Sequence, residues 1–342
     1  MATPPANVPV SPASILQLST MLYQTRILLS AVELGLFTLL TEGPATEAEI
    51  RQRLALHPRA SRDFLDALVA VGMVEREADR YRNSPPADFY LDRRKPSYLG
   101  TFVEKLASHY PVWERLTEAL RTGQPQMRRW TDERWFNDLY QDSEAARDFM
   151  ARMDIVNARI GPALARSLDW SGYDSFIDVG GARGNVAAAL VKAHPHLRGG
   201  CFDLPQVEPL FNEHIAALGL TDQVRFYAGD FFDDSLPEVD VLIFGHVLHN
   251  WDPAERQMLL KKAYASIPVG GVLLVYDPMI NDDRRGKLVS LLMSLKMLLI
   301  TPGGSEYTIA DCRSWLQQAG FDRTSAAPLT ETDTLIITRK DH

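Results

Sequence analysis

The sequence predicts an α/β protein with a mostly parallel sheet in its C-terminal half and a smaller helical module before it. From Ser175 onward, short apolar strands alternate with helical segments, which is the pattern of a parallel sheet covered by helices on both faces. Within residues 1–100, three helical segments precede a segment that alternates like a hairpin. These two observations divide the chain into parts with different architectures.

Length and composition are those of a globular protein with a sizeable core. The chain has 342 residues, of which 46% are hydrophobic and 23% are charged, so its fold requires no metal or disulfide for stability. The net charge is −8, and residues 1–100 carry none of it because 11 basic residues balance 11 acidic ones. A general nucleic-acid-binding surface is therefore not expected.

Location and membrane association follow from a few sequence features. The two cysteines, Cys201 and Cys312, exclude a disulfide scaffold and favour the cytoplasm. The first residues lack the basic and apolar regions of a signal peptide. The most apolar helical run, 288–300, has 13 residues and includes Lys296, so it is too short to cross a bilayer. We expect a cytoplasmic protein with no membrane partner.

The N-terminal module is predicted to contain a tail, three helices and a hairpin. Its parts are a loose tail at 1–13, helices at 14–40, 46–56 and 61–71, and a hairpin at 73–84. Thr46 stands three residues before Glu49, the spacing of a capping box that starts a helix, and Ser61 is the expected N-cap of the third helix. Three helices followed by a hairpin form the winged-helix pattern, which occurs in DNA-binding proteins and in subunit-packing modules.

DNA binding is the less favoured use of this module. In the helix that would contact DNA, Arg62 stands beside Asp63 and Asp66, whereas binding requires basic side chains that neutralise phosphates. We interpret residues 14–100 as a winged-helix-like dimerisation domain. A winged-helix regulator that binds a ligand remains the alternative that is not an enzyme.

The C-terminal half supplies the sheet. Residues 101–166 are predicted to be a mostly helical connector that contributes to a substrate pocket, and residues 167–342 are predicted to be the catalytic domain. The five parallel strands are expected in the segments SFIDVGG, RGGCFDLP, VRFYAGDFF, DVLIFGHVL and GGVLLVYDPM. The segments FDRTSAAPL and TDTLIITRK are expected to pair as an antiparallel hairpin at the end of the sheet.

A glycine-rich loop lies between the first strand and the next helix. Gly180, Gly181 and Gly184 would let the backbone turn sharply and approach a ligand. Asp203 ends the second strand, where a carboxylate can bind both ribose hydroxyls of a nucleoside, and Asp230 follows the third. A glycine turn without a ligand, or the loop of a nicotinamide dehydrogenase, would explain the glycines alone, but the dehydrogenase motif has the spacing G-x-G-x-x-G.

The motifs in their order resemble one enzyme family. D-V-G-G-x-x-G, F-D-L-P, G-D-F-F and the later L-H-N-W resemble segments of the S-adenosylmethionine-dependent small-molecule O-methyltransferases, which include plant caffeic acid O-methyltransferases and bacterial polyketide and antibiotic O-methyltransferases. The resemblance covers about 14–340. It implies a Rossmann-like methyltransferase sheet whose last strand is antiparallel, S-adenosylmethionine as cofactor, no metal, and a homodimer formed through the N-terminal domain.

The same resemblance implies a catalytic group. The histidine of L-H-N-W, here His249, is the general base of the family, and two acidic residues beside it correspond to Asp277 and Glu306. An imidazole with a pKa near 6.5 can accept the proton of a phenol, whose pKa is near 10. A carboxylate that orients the imidazole would assist it. Asp277 replaces the glutamate that is usual in the family, so its shorter side chain is expected to reach His249 less well.

The resemblance also implies cofactor contacts. The residues expected to bind the cofactor are Gly180, Gly181, Gly184, Asp203, Leu204, Asp230, Phe231, Gly245, Asn157 and Met153. Phe231 would cover the adenine, and Asn157 falls where a serine often meets the methionine carboxylate. Gly245 falls where a lysine or serine often contacts the adenine, and a glycine offers only backbone there. Arg183, in the glycine loop, could reach a carboxylate, but we favour the interpretation that it is solvent-exposed.

The expected acceptor is a small aromatic or polyketide-type molecule. The helical run 288–300 lies where the family places acceptor-site residues, and the candidates are Phe149, Trp113, Met293 and Met297. Methionine adapts well to a flat ring. Transfer to carbon or nitrogen, or a non-methylating reaction on the same scaffold, is the alternative among enzymes.

Overall fold

The chain forms two structural units. The structure, a computed structural model, describes residues 11–107, 109–127 and 135–342, so residues 1–10 of the predicted tail lie outside the described residues. One unit runs to Tyr110 and the other begins at Pro111. The division of the chain at 14–100, 101–166 and 167–342 stays a prediction.

The first unit is helical and contains a small sheet. Its elements are α1 (Ala13–Glu33), α2 (Leu36–Leu40), β1 (Ala45–Thr46), α3 (Glu47–Arg53), α4 (Ser61–Ala70), β2 (Val74–Glu77), β3 (Arg80–Asn83), α5 (Pro85–Leu91) and α6 (Gly100–Ala107). The strands pair antiparallel in the order β1-β3-β2. This arrangement matches the predicted helices and hairpin.

Local chemistry explains where these elements begin and end. Thr46 and Glu49 form the predicted capping box, since each side chain bonds the other residue's backbone N–H. The predicted helix 14–40 is interrupted, because Gly35 adopts a left-handed φ of 74° between α1 and α2. The N-cap prediction at Ser61 was wrong, because Ser61 is already helical and its hydroxyl donates to Glu47.

The second unit contains the large sheet and the helices around it. Its elements are α7 (Tyr110–Trp113), α8 (Leu116–Thr122), α9 (Trp135–Gln141), α10 (Ser143–Leu164), β4 (Ser175–Val179), α11 (Asn185–Ala193), β5 (Arg198–Asp203), α12 (Glu208–Ala217), β6 (Val224–Ala228), β7 (Val241–Gly245), α13 (Pro253–Ser266), β8 (Val272–Asp277), α14 (Leu288–Ile300), α15 (Ile309–Ala319), β9 (Arg323–Pro328) and β10 (Thr334–Arg339). All seven strands predicted from the sequence are present.

Strand order determines where a ligand can bind. The sheet runs β6-β5-β4-β7-β8-β10-β9, in which the first five strands are parallel and β10 is antiparallel to both neighbours. The mostly parallel α/β fold with its antiparallel end is therefore confirmed. The order reverses between β4 and β7, and ligands of such sheets bind beyond the carboxyl ends of the strands at this point.

The central strands of the sheet are buried on both faces. One apolar cluster, centred on Trp170, Phe176 and Phe211, covers one face, and another, centred on Phe244, Leu259 and Phe321, covers the other. Strands β7 and β8 are almost wholly buried, which explains their continuous apolar sequences. Among the described helices, none combines the length and the apolar character that a bilayer crossing requires.

Candidate active site

The glycine loop after β4 has an unusual backbone. Gly180, Ala182 and Gly184 have φ values of 71°, 49° and 84°, a region that glycine enters without steric cost. A Cβ on Gly181 would lie 2.7 Å from a carboxyl oxygen of Asp178. The fold itself thus requires the tight turn, which begins α11 at the edge where the strand order reverses.

Asp203 holds this loop in place. Its two carboxyl oxygens accept the N–H groups of Ala182 and of its neighbour Leu204, each at 2.8 Å. The residue is only 7% exposed, and burial raises its pKa to about 6. Asp203 therefore joins β5 to the glycine loop while its carboxylate stays at the carboxyl end of the sheet.

The other predicted cofactor residues on the sheet surround the same edge. Asp230 follows β6, is half-buried, and accepts the N–H of Phe232 at 2.9 Å. The Phe231 ring meets the ring of Trp251 edge to face at 5.7 Å. Gly245 ends β7, where a Cβ would lie 2.0 Å from the Tyr276 ring. A larger side chain here would collide with the Tyr276 ring unless that ring moved.

Helix α10 carries Met153 and Asn157, both half-buried. The Asn157 Oδ1 atom is buried and has no hydrogen-bond partner among the described residues. One turn away, Asp154 pairs with Arg183 and accepts from Asn185. The interpretation of Arg183 as solvent-exposed was therefore wrong, because its guanidinium ties the glycine loop to α10.

The three predicted catalytic residues lie together. His249 stands in the short turn after β7, and its Nδ1 atom lies 2.7 Å from Oε1 of Glu306 and 3.7 Å from Oδ1 of Asp277. The Tyr307 hydroxyl donates to the other oxygen of Asp277 at 2.5 Å. Glu306 is thus the direct partner of the imidazole, and the shorter Asp277 stops about an ångström further away, as expected.

Burial dominates the electrostatics of this group. It lowers the pKa of His249 to about 4, and it raises the pKa of Asp277 to about 6 and that of Glu306 to about 8. The imidazole is therefore neutral at neutral pH and able to accept a proton. Asp277, with a pKa of about 6, is ionised at neutral pH and can supply the countercharge once the imidazole does so.

His246, three residues before His249, has a separate partner. Its Nε2 atom lies 2.8 Å from Oδ1 of Asp333, and its ring stacks 5.8 Å from the His249 ring. Burial opposes the charge on His246, but the bond to Asp333 raises its pKa overall. The Coulomb interaction with His246 further lowers the pKa of His249.

Arg256 is a site residue that the sequence analysis missed. It is 1% exposed, and its guanidinium donates to the backbone oxygens of Leu248 at 2.8 Å and Ser305 at 2.6 Å. The sequence does contain a signal for it. Leu259, Leu260 and other apolar residues recur at helical spacing from Arg256, which places an arginine on the buried face of α13.

The candidate acceptor residues fall into two apolar clusters. Trp113, Met293 and Met297 belong to one cluster, formed by α7, α8 and α14. Ser294, also on α14, accepts the N–H of Glu306 at 3.2 Å, so this helix borders the catalytic group. Phe149 belongs to the other cluster, in which Leu204 also packs.

An aromatic contact links the Phe149 cluster to the catalytic turn. The Phe136 ring lies 5.9 Å from that of Phe149 and 6.1 Å from that of Trp251. Trp251 follows His249 by two residues and packs edge to face against Phe231 and Phe232. These rings therefore form an apolar cluster that includes Trp251 of the segment that carries His249.

These residues fit a nucleoside-containing cofactor. Two buried polar atoms near the carboxyl edge, Asn157 Oδ1 and Trp251 Nε1, lack hydrogen-bond partners among the described residues. Unpaired buried polar groups are costly unless a ligand or water satisfies them. The Asp203 carboxylate suits the ribose hydroxyls, the Phe231 ring suits the base, and the half-buried backbone of the glycine loop suits the polar end of such a cofactor.

The side chains of the catalytic group lie close enough together to bind one metal ion. One ligand atom each from His249, Asp277 and Glu306 lies within 4.8 Å of the others. Imidazole and carboxylates are common zinc ligands. The expectation of an enzyme without a metal therefore stays a prediction, to be tested by chelation.

Comparison with known proteins establishes the family. A family model described as the O-methyltransferase domain matches residues 113–322, and a model for the O-methyltransferase dimerisation domain matches residues 16–93. The chain belongs to the O-methyltransferase family. It is an S-adenosylmethionine-dependent O-methyltransferase, and the match covers both of the architectures predicted from the sequence.

Individual relatives of this O-methyltransferase span nearly its whole length. Tetracenomycin polyketide synthesis 8-O-methyl transferase TcmO of Streptomyces glaucescens is 52% identical over 96% of this chain and 97% of its own. N,N-dimethyltransferase OxyT of Streptomyces rimosus is 43% identical over 94% of each chain. The crystal structure of human N-acetylserotonin methyltransferase in complex with SAM is similar with a TM-score of 0.86 and 27% identity, covering 98% of this chain and 99% of that one.

Proposed function

We propose that this O-methyltransferase methylates a hydroxyl of an aromatic, polyketide-type molecule with His249 as the general base. The observation that carries the proposal is the buried, neutral imidazole at the carboxyl edge of the sheet, bonded to Glu306 at 2.7 Å. In the tautomer with hydrogen on Nδ1, that nitrogen donates to Glu306, and the lone pair of Nε2 is free to accept a proton. Asp277, which is ionised at neutral pH, then stabilises the imidazolium, and Glu306 does so where it is ionised as well.

The cofactor site is proposed to use the residues at the same edge. When bound, S-adenosylmethionine supplies an electrophilic methyl group on a positively charged sulfur. Asp203 would accept hydrogen bonds from the ribose hydroxyls, and Phe231 and Leu204 would cover the adenosine. Asn157 would form a hydrogen bond with the methionine carboxylate of the cofactor. Orienting the acceptor oxygen along the line of attack would contribute up to about 7–11 kcal/mol.

The nature of the acceptor is inferred from the walls of the site and from relatives. The rings of Phe136, Phe149 and Trp251 and the methionines of α14 suit a flat, polycyclic aromatic molecule. TcmO, named for polyketide synthesis, shares 52% identity. OxyT is named an N,N-dimethyltransferase, so transfer to nitrogen is the second candidate.

Product analysis tests the acceptor atom. The purified enzyme is incubated with S-adenosylmethionine, a chelator and matched tricyclic or tetracyclic aromatics that carry only a phenol or only an amine, and products are assigned by mass spectrometry and NMR. We expect methyl ethers of the phenols at a rate that the chelator does not change. Methylation of amines alone would overturn oxygen as the acceptor, and loss of activity on chelation would overturn the metal-free mechanism.

The two carboxyl groups are expected to contribute unequally. Glu306→Gln removes the group that lies 2.7 Å from His249, whereas Asp277→Asn changes one at 3.7 Å. A bond to a charged group contributes about 1.5–3 kcal/mol. Above pH 8, where the Glu306 carboxyl is ionised, Glu306→Gln should therefore lower kcat by roughly 10- to 100-fold and Asp277→Asn by less. Steady-state kinetics at saturating cofactor measure both. A larger loss in Asp277→Asn would show that Asp277 is the main partner.

Dimerisation is proposed to bury the exposed apolar residues of α1. Leu18 is 70% exposed and Leu22 is 58% exposed, and burial of one such side chain contributes about 1.5–3 kcal/mol. The double substitution Leu18→Glu and Leu22→Glu should convert a dimer into a monomer in light scattering. Val269→Glu, at a 67% exposed apolar position outside α1, is the matched control and should leave the dimer intact. A dimer in both variants would contradict the proposal.

A further inference from the structure

The turn that carries His249 and the loop that carries Glu306 are joined largely through their backbones. The Ser305 N–H donates to the His249 carbonyl at 2.9 Å. A Cβ on Gly304 would lie 2.7 Å from that same carbonyl oxygen, so only glycine permits this close approach. The distance between base and carboxylate therefore depends on how firmly two irregular segments, 57 residues apart in sequence, are held together.

One side chain bonds both segments. The Arg256 guanidinium donates through Nε to the carbonyl of Leu248, the residue before His249, at 2.8 Å. It also donates through a terminal nitrogen to the carbonyl of Ser305, the residue before Glu306, at 2.6 Å, and to its hydroxyl at 3.0 Å. The planar fork of arginine can hold both acceptors in a fixed geometry, which the single ammonium of lysine cannot reproduce.

Aromatic rings fix the guanidinium in turn. Its central carbon lies 4.9 Å from the Tyr307 ring centroid and 5.2 Å from that of Trp315, within the range of cation–π contacts. Tyr307 follows Glu306 directly and bonds Asp277 through its hydroxyl. Arg256 therefore contacts neighbours of the base and of Glu306, together with the tyrosine that bonds the second carboxylate.

We propose that Arg256 is a positioning residue that sets the distance between His249 and Glu306. It does not touch the reacting atoms, and it acts through the two backbone segments that it joins. This inference rests on the proposed role of His249 as the base. A displacement of about 1 Å in a catalytic group can cost on the order of 100-fold in rate, so loosening this connection should be measurable.

A second cation on the same helix provides a matched control. Lys262 of α13 donates to the carbonyls of Phe231, Phe232 and Asp234 at 2.7–2.8 Å. It thus joins α13 to the proposed adenine loop, not to the catalytic turn. Lys262→Met should weaken cofactor binding and leave the pH dependence of kcat unchanged, whereas Arg256→Lys should change the pH dependence of kcat and leave cofactor affinity nearly unchanged.

The experiment is a double-mutant cycle between Arg256→Lys and His249→Gln on the full-length enzyme. Calorimetric titration with S-adenosylhomocysteine verifies that each variant is folded. We expect Arg256→Lys alone to lower kcat by roughly 10- to 100-fold with little change in cofactor affinity. In the His249→Gln background it should have almost no further effect, because a residue that acts only through the base cannot matter once the base is gone.

The outcomes separate this inference from the proposed function. Equal effects of Arg256→Lys in both backgrounds, or no effect in either, would overturn the positioning role while leaving His249 as the base. An undiminished rate in His249→Gln alone would overturn the proposed function itself. If Arg256→Lys does not bind the cofactor, Ser305→Ala decides the question. Ser305→Ala removes one bond to the guanidinium. A severalfold loss of kcat that occurs only in the wild-type background supports the positioning role of Arg256, and no loss of kcat contradicts it.

Discussion

Replacing His249 by glutamine is expected to lower the rate of methyl transfer by about 10²–10⁴-fold at neutral pH. The imidazole is 8% exposed, and burial lowers its pKa to about 4, so it is neutral and can accept the hydroxyl proton. Glutamine keeps similar bulk but has no basic nitrogen. Single-turnover measurements at saturating cofactor report this step without interference from product release.

His246→Gln is the matched control for this prediction. His246 lies three residues earlier and has its own partner in Asp333, so its loss should reduce the rate far less. Calorimetric titration with S-adenosylhomocysteine should give similar affinities for both variants and the wild type. A fully active His249→Gln enzyme with normal cofactor affinity would eliminate His249 as the base.

Replacing Asp203 by asparagine is expected to weaken cofactor binding on the order of 10- to 100-fold. The carboxylate bonds two backbone N–H groups, and an amide offers only one oxygen acceptor for them. The substitution should therefore loosen the glycine loop and remove a partner of the ribose hydroxyls. Calorimetric titration with S-adenosylhomocysteine measures the change in Kd.

The pH dependence of binding supplies a second measure of Asp203. Since burial raises its pKa to about 6, the wild-type affinity should fall as pH decreases through that value, where the carboxyl takes up a proton and loses acceptor capacity. Asp222→Asn, at an exposed position before β6, is the control and should bind normally. Unchanged affinity in Asp203→Asn would show that this carboxylate does not hold the cofactor.

Much of the fold could be predicted because it depends on local patterns. Alternation of apolar segments with helices predicted the parallel strands and the terminal hairpin, and the spacing of Thr46 and Glu49 predicted a capping box that the structure contains. The Gly35 interruption was missed because the residues on both sides of it keep the apolar character of a helix. Periodicity reports which face is buried, and it does not report where the backbone turns.

The sequence predicted which residues form the catalytic group, but it did not predict the distances between them. Motif resemblance brought His249, Asp277 and Glu306 together, and the shorter side chain of Asp277 predicted its weaker reach, yet neither gave the distances of 2.7 and 3.7 Å. That difference depends on the path of the loop after α14. Likewise, the Arg183 ion pair and the Arg256 bonds join residues far apart in sequence, so only tertiary packing determines them.

The pH dependence of single-turnover methyl transfer tests the central claim most directly. At saturating cofactor, the wild-type rate should rise by far less than tenfold per pH unit between about pH 6 and 8, because the pKa of His249 is about 4 and the base is already neutral, so that only the ionisation of Asp277 and Glu306 changes the rate. The His249→Gln rate should rise by about tenfold per pH unit, since only a phenol that has ionised by itself, with a pKa near 10, can then react. Parallel, steeply rising profiles for both enzymes would contradict general-base catalysis by His249.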